Sequence, residues 1–176
     1  MAKTNIYIDG YNLYYSRLKG TAFKWLDLVA LFRDQIVMQQ DPSAQVLNIK
    51  FFTAPVKASY ARHGQASEHA QTQYHRALQA YRDEASGVCD QVVICSNDSD
   101  LEPALRLIRQ DVPTATIGLI MPLRAQAHGD GKVPNKRLTP LAHLVRHHIL
   151  DDELMRAQLP HNVPTKKKPA SKPPHW

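Results

Sequence analysis

An α/β three-layer sandwich with a mainly parallel central sheet is the fold this sequence predicts, on three observations. Short apolar, β-branched runs alternate along the chain with stretches of helical periodicity. One run, Gln91–Cys95 (QVVIC), is apolar almost throughout, as suits a strand covered on both faces. Helical segments separate the runs, and helical crossovers join parallel strands.

The elements follow in order. Asn5–Asp9 (NIYID) is the first strand, closed by the Asp9-Gly10 turn signal. Trp25, Leu28, Val29, Phe32 and Ile36 fall at i, i+3, i+4, i+7 and i+11, one stripe of an amphipathic helix broken at Asp41-Pro42-Ser43. Val46–Thr53 (VLNIKFFT) is the second strand, stopped by Pro55. A second stripe runs through Ala66, Ala70, Tyr74, Ala77, Leu78, Tyr81 and Ala85, with Gly87 placed to end it. Gln91–Cys95 is the third strand. Asn97 or Asp98 can cap the next helix, whose core face is Leu101, Ala104, Leu105 and Ile108. Thr116–Met121 is the fourth strand, residues 122–137 a loop, and Leu138–Leu150 a final helix. That helix would carry His143 and His147 at i, i+4. With no third ligand in view they read as a surface or partly buried pair rather than a zinc site.

The 176 residues suit one domain, and 43% hydrophobic content suffices for a core. We expect a folded domain over 1–150, its end or a connecting segment over 151–160, and a disordered Lys/Pro-rich tail over 161–176. The net charge of +6 is largely a property of that tail, which holds four lysines and no acid. Without it, 18 basic residues face 16 acids. The folded body is therefore not marked as a nucleic-acid binder by charge alone. No apolar run approaches the ~20 residues of a membrane-spanning helix, and Met1–Asp9 lacks the apolar core of a secretory signal. Cys89 and Cys95 match neither a zinc pattern nor a disulfide framework. They read as reduced core or near-core thiols of a cytoplasmic protein that binds no membrane.

Ligands of open parallel sheets bind outside the carboxyl ends of the strands. Asp9-Gly10-Tyr11-Asn12 follows the first strand and Ser96-Asn97-Asp98-Ser99-Asp100 the third. If those strands are neighbours, Asp9, Asp98 and Asp100 converge. Clustered carboxylates repel one another, and a hard divalent cation such as Mg²⁺ relieves the repulsion. Such a cation can activate water and stabilise charge on a phosphodiester. Taken singly, Asp9 could open a turn, Asp98 cap a helix, and Asp100 serve as a first-turn acid. Toprim-type sites would want a glutamate where Asp9 stands. Haloacid-dehalogenase-type sites would want an aspartate where Tyr11 stands. Dinucleotide and P-loop glycine patterns are absent.

Ile8-Asp9-Gly10-Tyr11-Asn12-Leu13 together with Ser96-Asn97-Asp98-Ser99-Asp100-Leu101 resembles the NYN-domain family, relatives of PIN-like nucleases. Glu102-Pro103-Ala104-Leu105, and Ile117-Gly118-Leu119-Ile120 with Pro122, extend the resemblance over roughly residues 3–160. It implies a PIN-like, Rossmann-like fold and RNA cleavage by water activated on Mg²⁺ or Mn²⁺. By position, Asp9, Asp98 and Asp100 become the metal-site acids, and Asn12 and Ser96 their supporting polar groups. The family's further acidic motif, Lys-x-x-Asp-Val-like, is not found. Asp83 and Glu84 are the nearest substitutes and read as solvated helix-end charges. The segment between Pro55 and Asp90 is short for the family. Tyr11, beside Tyr14, Tyr15, Arg17 and Lys19, is the expected mouth-lining aromatic. Asn97, Arg124, Lys136 and Arg137 complete the expected substrate contacts, basic groups meeting phosphates. RNA is the expected partner, with a homodimer or a protein partner also admitted. The rival reading is a weak or inactive module of the same fold that binds RNA or protein, partly through its tail.

Overall fold

The computed structural model describes residues 2–176 except 56, 58, 60–63, 81–88, 126–131 and 167, and at 75–80 its side chains are not described. Asp83, Glu84, Tyr81, Ala85 and Gly87 of the sequence reading lie outside the described residues.

Five strands form an all-parallel sheet: β1 (Lys3–Asp9), β2 (Gln45–Phe52), β3 (Gln91–Cys95), β4 (Thr116–Ile120) and β5 (Leu144–Arg146). Their order is β2-β1-β3-β4-β5. Helical crossovers cover both faces, so the predicted three-layer α/β sandwich is the observed one. Side-chain alternation divides the core. Ile6, Ile8, Val93 and Cys95 point to one face, and Tyr7, Val92 and Ile94 to the other.

The first face is packed by α1 (Gly10–Leu13), which continues as a wider turn over Tyr14–Leu18, and by α2, wound over Ala30–Val37 and ending in Met38–Gln40. Trp25, Phe32 and Ile36 of the expected stripe are fully buried. Asp27, not a residue of the stripe, starts that helix, its carboxylate accepting the N–H groups of Val29 and Ala30 at 2.9 Å each. Helix α3 (Gln65–Ala80) brings Ala70 and Tyr74 to the same core. The second face is covered by α4 (Glu102–Asp111), which follows a tight turn at Ser99–Leu101. Leu105 is buried there with Leu101 and Ile108 partly so, while Ala104 is exposed, contrary to expectation.

Two expectations for the C-terminal third need correction. Leu138–Leu150 is not a helix: it holds a short turn at Thr139–Leu141, then strand β5. Without β5 the inner edge of β4 would leave buried backbone groups unpaired, and that demand outweighs local helical periodicity. His143 and His147 therefore share no helix face, and the His143 Nδ1 accepts the Ile117 N–H at 2.9 Å. The span 151–160 contains α5 (Asp151–Arg156). Three acids occupy its first turn and Arg156 its last, as the helix dipole favours.

The tail is likewise not disordered where described. β6 (Asn162–Val163) pairs antiparallel with β7 (Ala170–Ser171). Val163 and Ala170 are fully buried, and the Trp176 ring stands edge-on to Trp25, 6.3 Å between centroids.

Candidate functional site

Strand order decides where the site lies. From β1 the chain crosses to β2 on one side; from β2 it crosses back over β1 to β3, and onward to β4 and β5. The order reverses between β1 and β3, and a parallel sheet opens its ligand crevice at such a point. Asp9 ends β1 and Ser96 follows β3, so the two motifs meet at that crevice.

Asp9 caps α1, its Oδ1 accepting the Asn12 N–H at 2.9 Å. Its Oδ2 accepts the Ser96 hydroxyl at 2.9 Å. The same hydroxyl oxygen accepts the Asp98 N–H at 3.1 Å. Buried Ser96 thus joins the ends of β1 and β3 through one oxygen. Asn12 adds a second tie, its Oδ1 accepting the Asn97 N–H at 3.0 Å. Gly10 is required here because a Cβ would stand 2.4 Å from the Phe51 ring and 2.9 Å from the Phe52 carbonyl oxygen.

Of the other expected acids, Asp98 caps the turn before α4, its Oδ1 accepting the Asp100 N–H at 3.1 Å. Both Asp98 and Asp100 are exposed. Among the described residues no three His, Cys, Asp or Glu side chains stand close enough to form a metal-ligand group. The donor set is right in kind, hard carboxylate oxygens at a crevice, but it is not a closed protein cage. Mg²⁺ is commonly held by one or two carboxylates together with substrate phosphates, and Asp9 and Asp98 match that more open arrangement. A nucleotide phosphate, by contrast, would meet the Asp9 carboxylate at the start of α1, where dinucleotide folds place their anion. Charge at this position favours a cation.

Asn97, expected to touch substrate, is spent on structure instead. Its Nδ2 donates to the Val133 carbonyl at 3.0 Å and its Oδ1 accepts the Asn135 N–H at 2.8 Å. The Asn135 Nδ2 returns a bond to the Asn97 carbonyl at 3.2 Å. This clamp fastens the loop around Val133–Arg137 beside the crevice. Asn135 was not legible as a functional residue; its turn-forming Pro134-Asn135 setting was the available signal. The clamp brings exposed Lys136 and Arg137 to the crevice side, where Arg137 lies 3.9 Å from Glu102. Tyr11 and Tyr15 are 62% and 42% exposed, their rings 4.4 Å apart, and Lys19 Nζ lies 4.9 Å from the Tyr15 ring centre. Arg124 stands apart from this group, bonded through Nη2 to the Lys19 carbonyl at 2.8 Å.

Burial pushes the Cys95 thiol well above the usual range, and the nearby Asp9 charge adds to the effect. Cys89 and Cys95 are both free thiols, as the sequence suggested.

Fold and crevice together define a parallel α/β protein with a carboxylate-bearing cleft at its switch point. The chain is 32% identical to 6-hydroxy-3-succinoylpyridine 3-monooxygenase HspA of Pseudomonas putida (strain DSM 28022 / S16), in an alignment of 241 positions covering 99% of this chain and 75% of the relative. It belongs to the family of that enzyme. Set against 176 residues, the 241 aligned positions leave at least 65 at which the relative has residues and this chain none. A crystal structure of a protein of unknown function from Vibrio parahaemolyticus RIMD 2210633 is similar in fold, with a TM-score of 0.51 at 16% identity, over 90% of this chain and 96% of that one. No family profile matches the chain.

Proposed function

We propose that this protein is a metal-dependent phosphodiesterase that cleaves RNA at the crevice between β1 and β3. The observation that carries the reading is the Ser96 hydroxyl, which donates to the Asp9 carboxylate and accepts the backbone N–H of Asp98, so that the two strand ends bearing these acids are tied together. The resemblance of these segments to the NYN-domain family points the same way. Asp9 and Asp98, with Asp100 from the exposed turn beside them, would hold Mg²⁺ or Mn²⁺. Such an ion, when bound, supplies water of lowered pKa and neutralises charge on the phosphate.

The chain's own residues do the positioning. Ser96 and the Asn12 N–H fix both oxygens of Asp9, so its remaining lone pairs face the cleft in one orientation. Asn12 and Asn97 hold the β3 end and the basic loop at a set distance. Tyr11 and Tyr15 offer exposed ring faces for unstacked bases. Lys136 and Arg137 meet phosphates without reading sequence.

Cleavage of labelled single-stranded RNA with Mn²⁺ or Mg²⁺ tests the reading, with Asp98→Asn purified alongside. Cleavage lost in the variant and in EDTA is expected. Equal cleavage by both proteins overturns the assignment. RNA binding without cleavage favours a non-catalytic module instead.

A second reading is favoured by the 32% identity over 99% of the chain: the protein oxygenates an aromatic acid, as the relative's name states for 6-hydroxy-3-succinoylpyridine. Turnover of that compound with O₂ and a reduced nicotinamide supplied as the two-electron donor, followed by absorbance and by oxygen uptake, separates the two readings.

A further inference from the structure

Arg17 is the largest charged side chain inside the protein, only 1% exposed. Its Nε donates to the Ile149 carbonyl at 2.6 Å and its Nη2 pairs with Asp151. Its Nη1 is buried and has no partner among the described residues. Arg124, four residues beyond β4, uses Nη2 on the Lys19 carbonyl, and its Nε is likewise buried without a partner. A buried donor left unpaired costs free energy, and more so when charged, so natural structures seldom keep two in one place without use.

Both guanidiniums line one pocket of about 240 Å³, with Thr21, Phe23, Ile149 and Asp151 among its walls. Burial disfavours the charged form of Arg17, and Arg124 adds to that effect, while Asp151 opposes it. The nearby Glu153 is engaged by Arg146. Among the described residues, two cations therefore face one carboxylate, Asp151, that no other cation engages. Phe23 and Ile149 make part of the wall apolar, which suits an organic body more than a bare ion. The volume is below the roughly 300–1,000 Å³ of drug-sized ligand sites. Every lining segment follows the carboxyl end of β1, β4 or β5, the ligand edge of this sheet.

We infer that this pocket binds a small organic ligand through an oxyanion, carboxylate or phosphate, received by Arg17 and Arg124. Arg17 Nη1 and Arg124 Nε are the donors that remain for such an anion. Guanidinium forks suit either group. The site is separate from the Asp9–Ser96 crevice, and the inference does not rest on the nuclease reading.

The test uses the full chain, without metal or RNA, titrated calorimetrically with benzoate, phenyl phosphate, inorganic phosphate and neutral benzamide. Saturable binding of benzoate or phenyl phosphate is expected, with benzamide at least tenfold weaker. The tighter of the two acids identifies the anion. Arg124→Gln should weaken that acid at least tenfold, and Arg17→Lys, if folded by circular dichroism, should do the same. Absence of saturable binding up to about 10 mM overturns the site. So does benzamide binding as well as benzoate and phenyl phosphate, or an Arg124→Gln chain that binds unchanged. Inorganic phosphate matching both acids would overturn the organic-ligand part.

Discussion

Ser96 gives one hydroxyl to two jobs, donating to Asp9 and accepting from the Asp98 N–H. Ser96→Ala should remove the buried hydroxyl that holds the Asp9 carboxylate and the Asp98 N–H, costing about 1–3 kcal/mol by urea unfolding. Thr at the same place restores the hydroxyl and should recover part of that loss. Gly10→Ala meets the Phe51 ring and the Phe52 carbonyl together, so one obstacle is backbone that cannot swing away. Overpacking of this sort costs about 1–3 kcal/mol, read by the same unfolding measurement. The thiols differ in a way mass spectrometry can read: alkylation at mildly alkaline pH should label partly buried Cys89 before Cys95. Burial, then the Asp9 charge, raise the Cys95 pKa, so its thiolate is scarce where an ordinary thiol is half ionised. The folded state holds that proton more tightly than the unfolded state. Its contribution to stability is therefore full below the ordinary thiol pKa and declines as pH rises above it.

Legibility fell off at the level of elements wherever a segment's role was set by a distant partner. β1, β2, β3 and β4 were readable because each carries its own apolar run bounded by turn residues. β5 was not, since Leu144–Arg146 is short and its strand state comes from pairing with β4. The tail misled for a related reason. Its composition is that of unstructured chain, yet Val163, Ala170 and Trp176 are spaced to reach one apolar patch around Trp25 and Tyr74. Two-residue strands leave no periodicity to detect. The Lys172 N–H donating to the His161 carbonyl at 2.8 Å and the Lys24 Nζ donating to the His175 carbonyl at 3.2 Å complete the attachment. Removing residues 161–176 should therefore destabilise the protein. Burial of Val163 alone corresponds to about 1.5–3 kcal/mol, or a fall in Tm of at least about 3 °C. A calorimetric scan showing no change would mean that the tail does not pack.

Across the whole molecule, the acidic site was legible because β1 and β3 are sheet neighbours, which turns two distant motifs into one crevice. How many of the acids come together there was not legible. Spacing placed three acids at strand ends and left Asp98 open as either a cap or a ligand, and its Oδ1 in fact caps the turn before α4. With Asp9 held by Ser96 and both Asp98 and Asp100 exposed, the protein would offer a divalent cation fewer oxygens than the ion requires. The phosphate oxygens of a substrate can supply the remainder. On the nuclease reading, cation and RNA should then bind cooperatively, each strengthening the other by the same factor. The chain alone should bind Mn²⁺ weakly by electron paramagnetic resonance. Addition of a non-cleavable 2′-O-methyl RNA should tighten Mn²⁺ binding at least fivefold, and Mn²⁺ should tighten RNA binding equally. Asp9→Asn should abolish the coupling while leaving salt-dependent RNA binding through Lys136 and Arg137. Mn²⁺ affinity that is tight without RNA, or unmoved by it, would show that the acids form a complete metal site on their own.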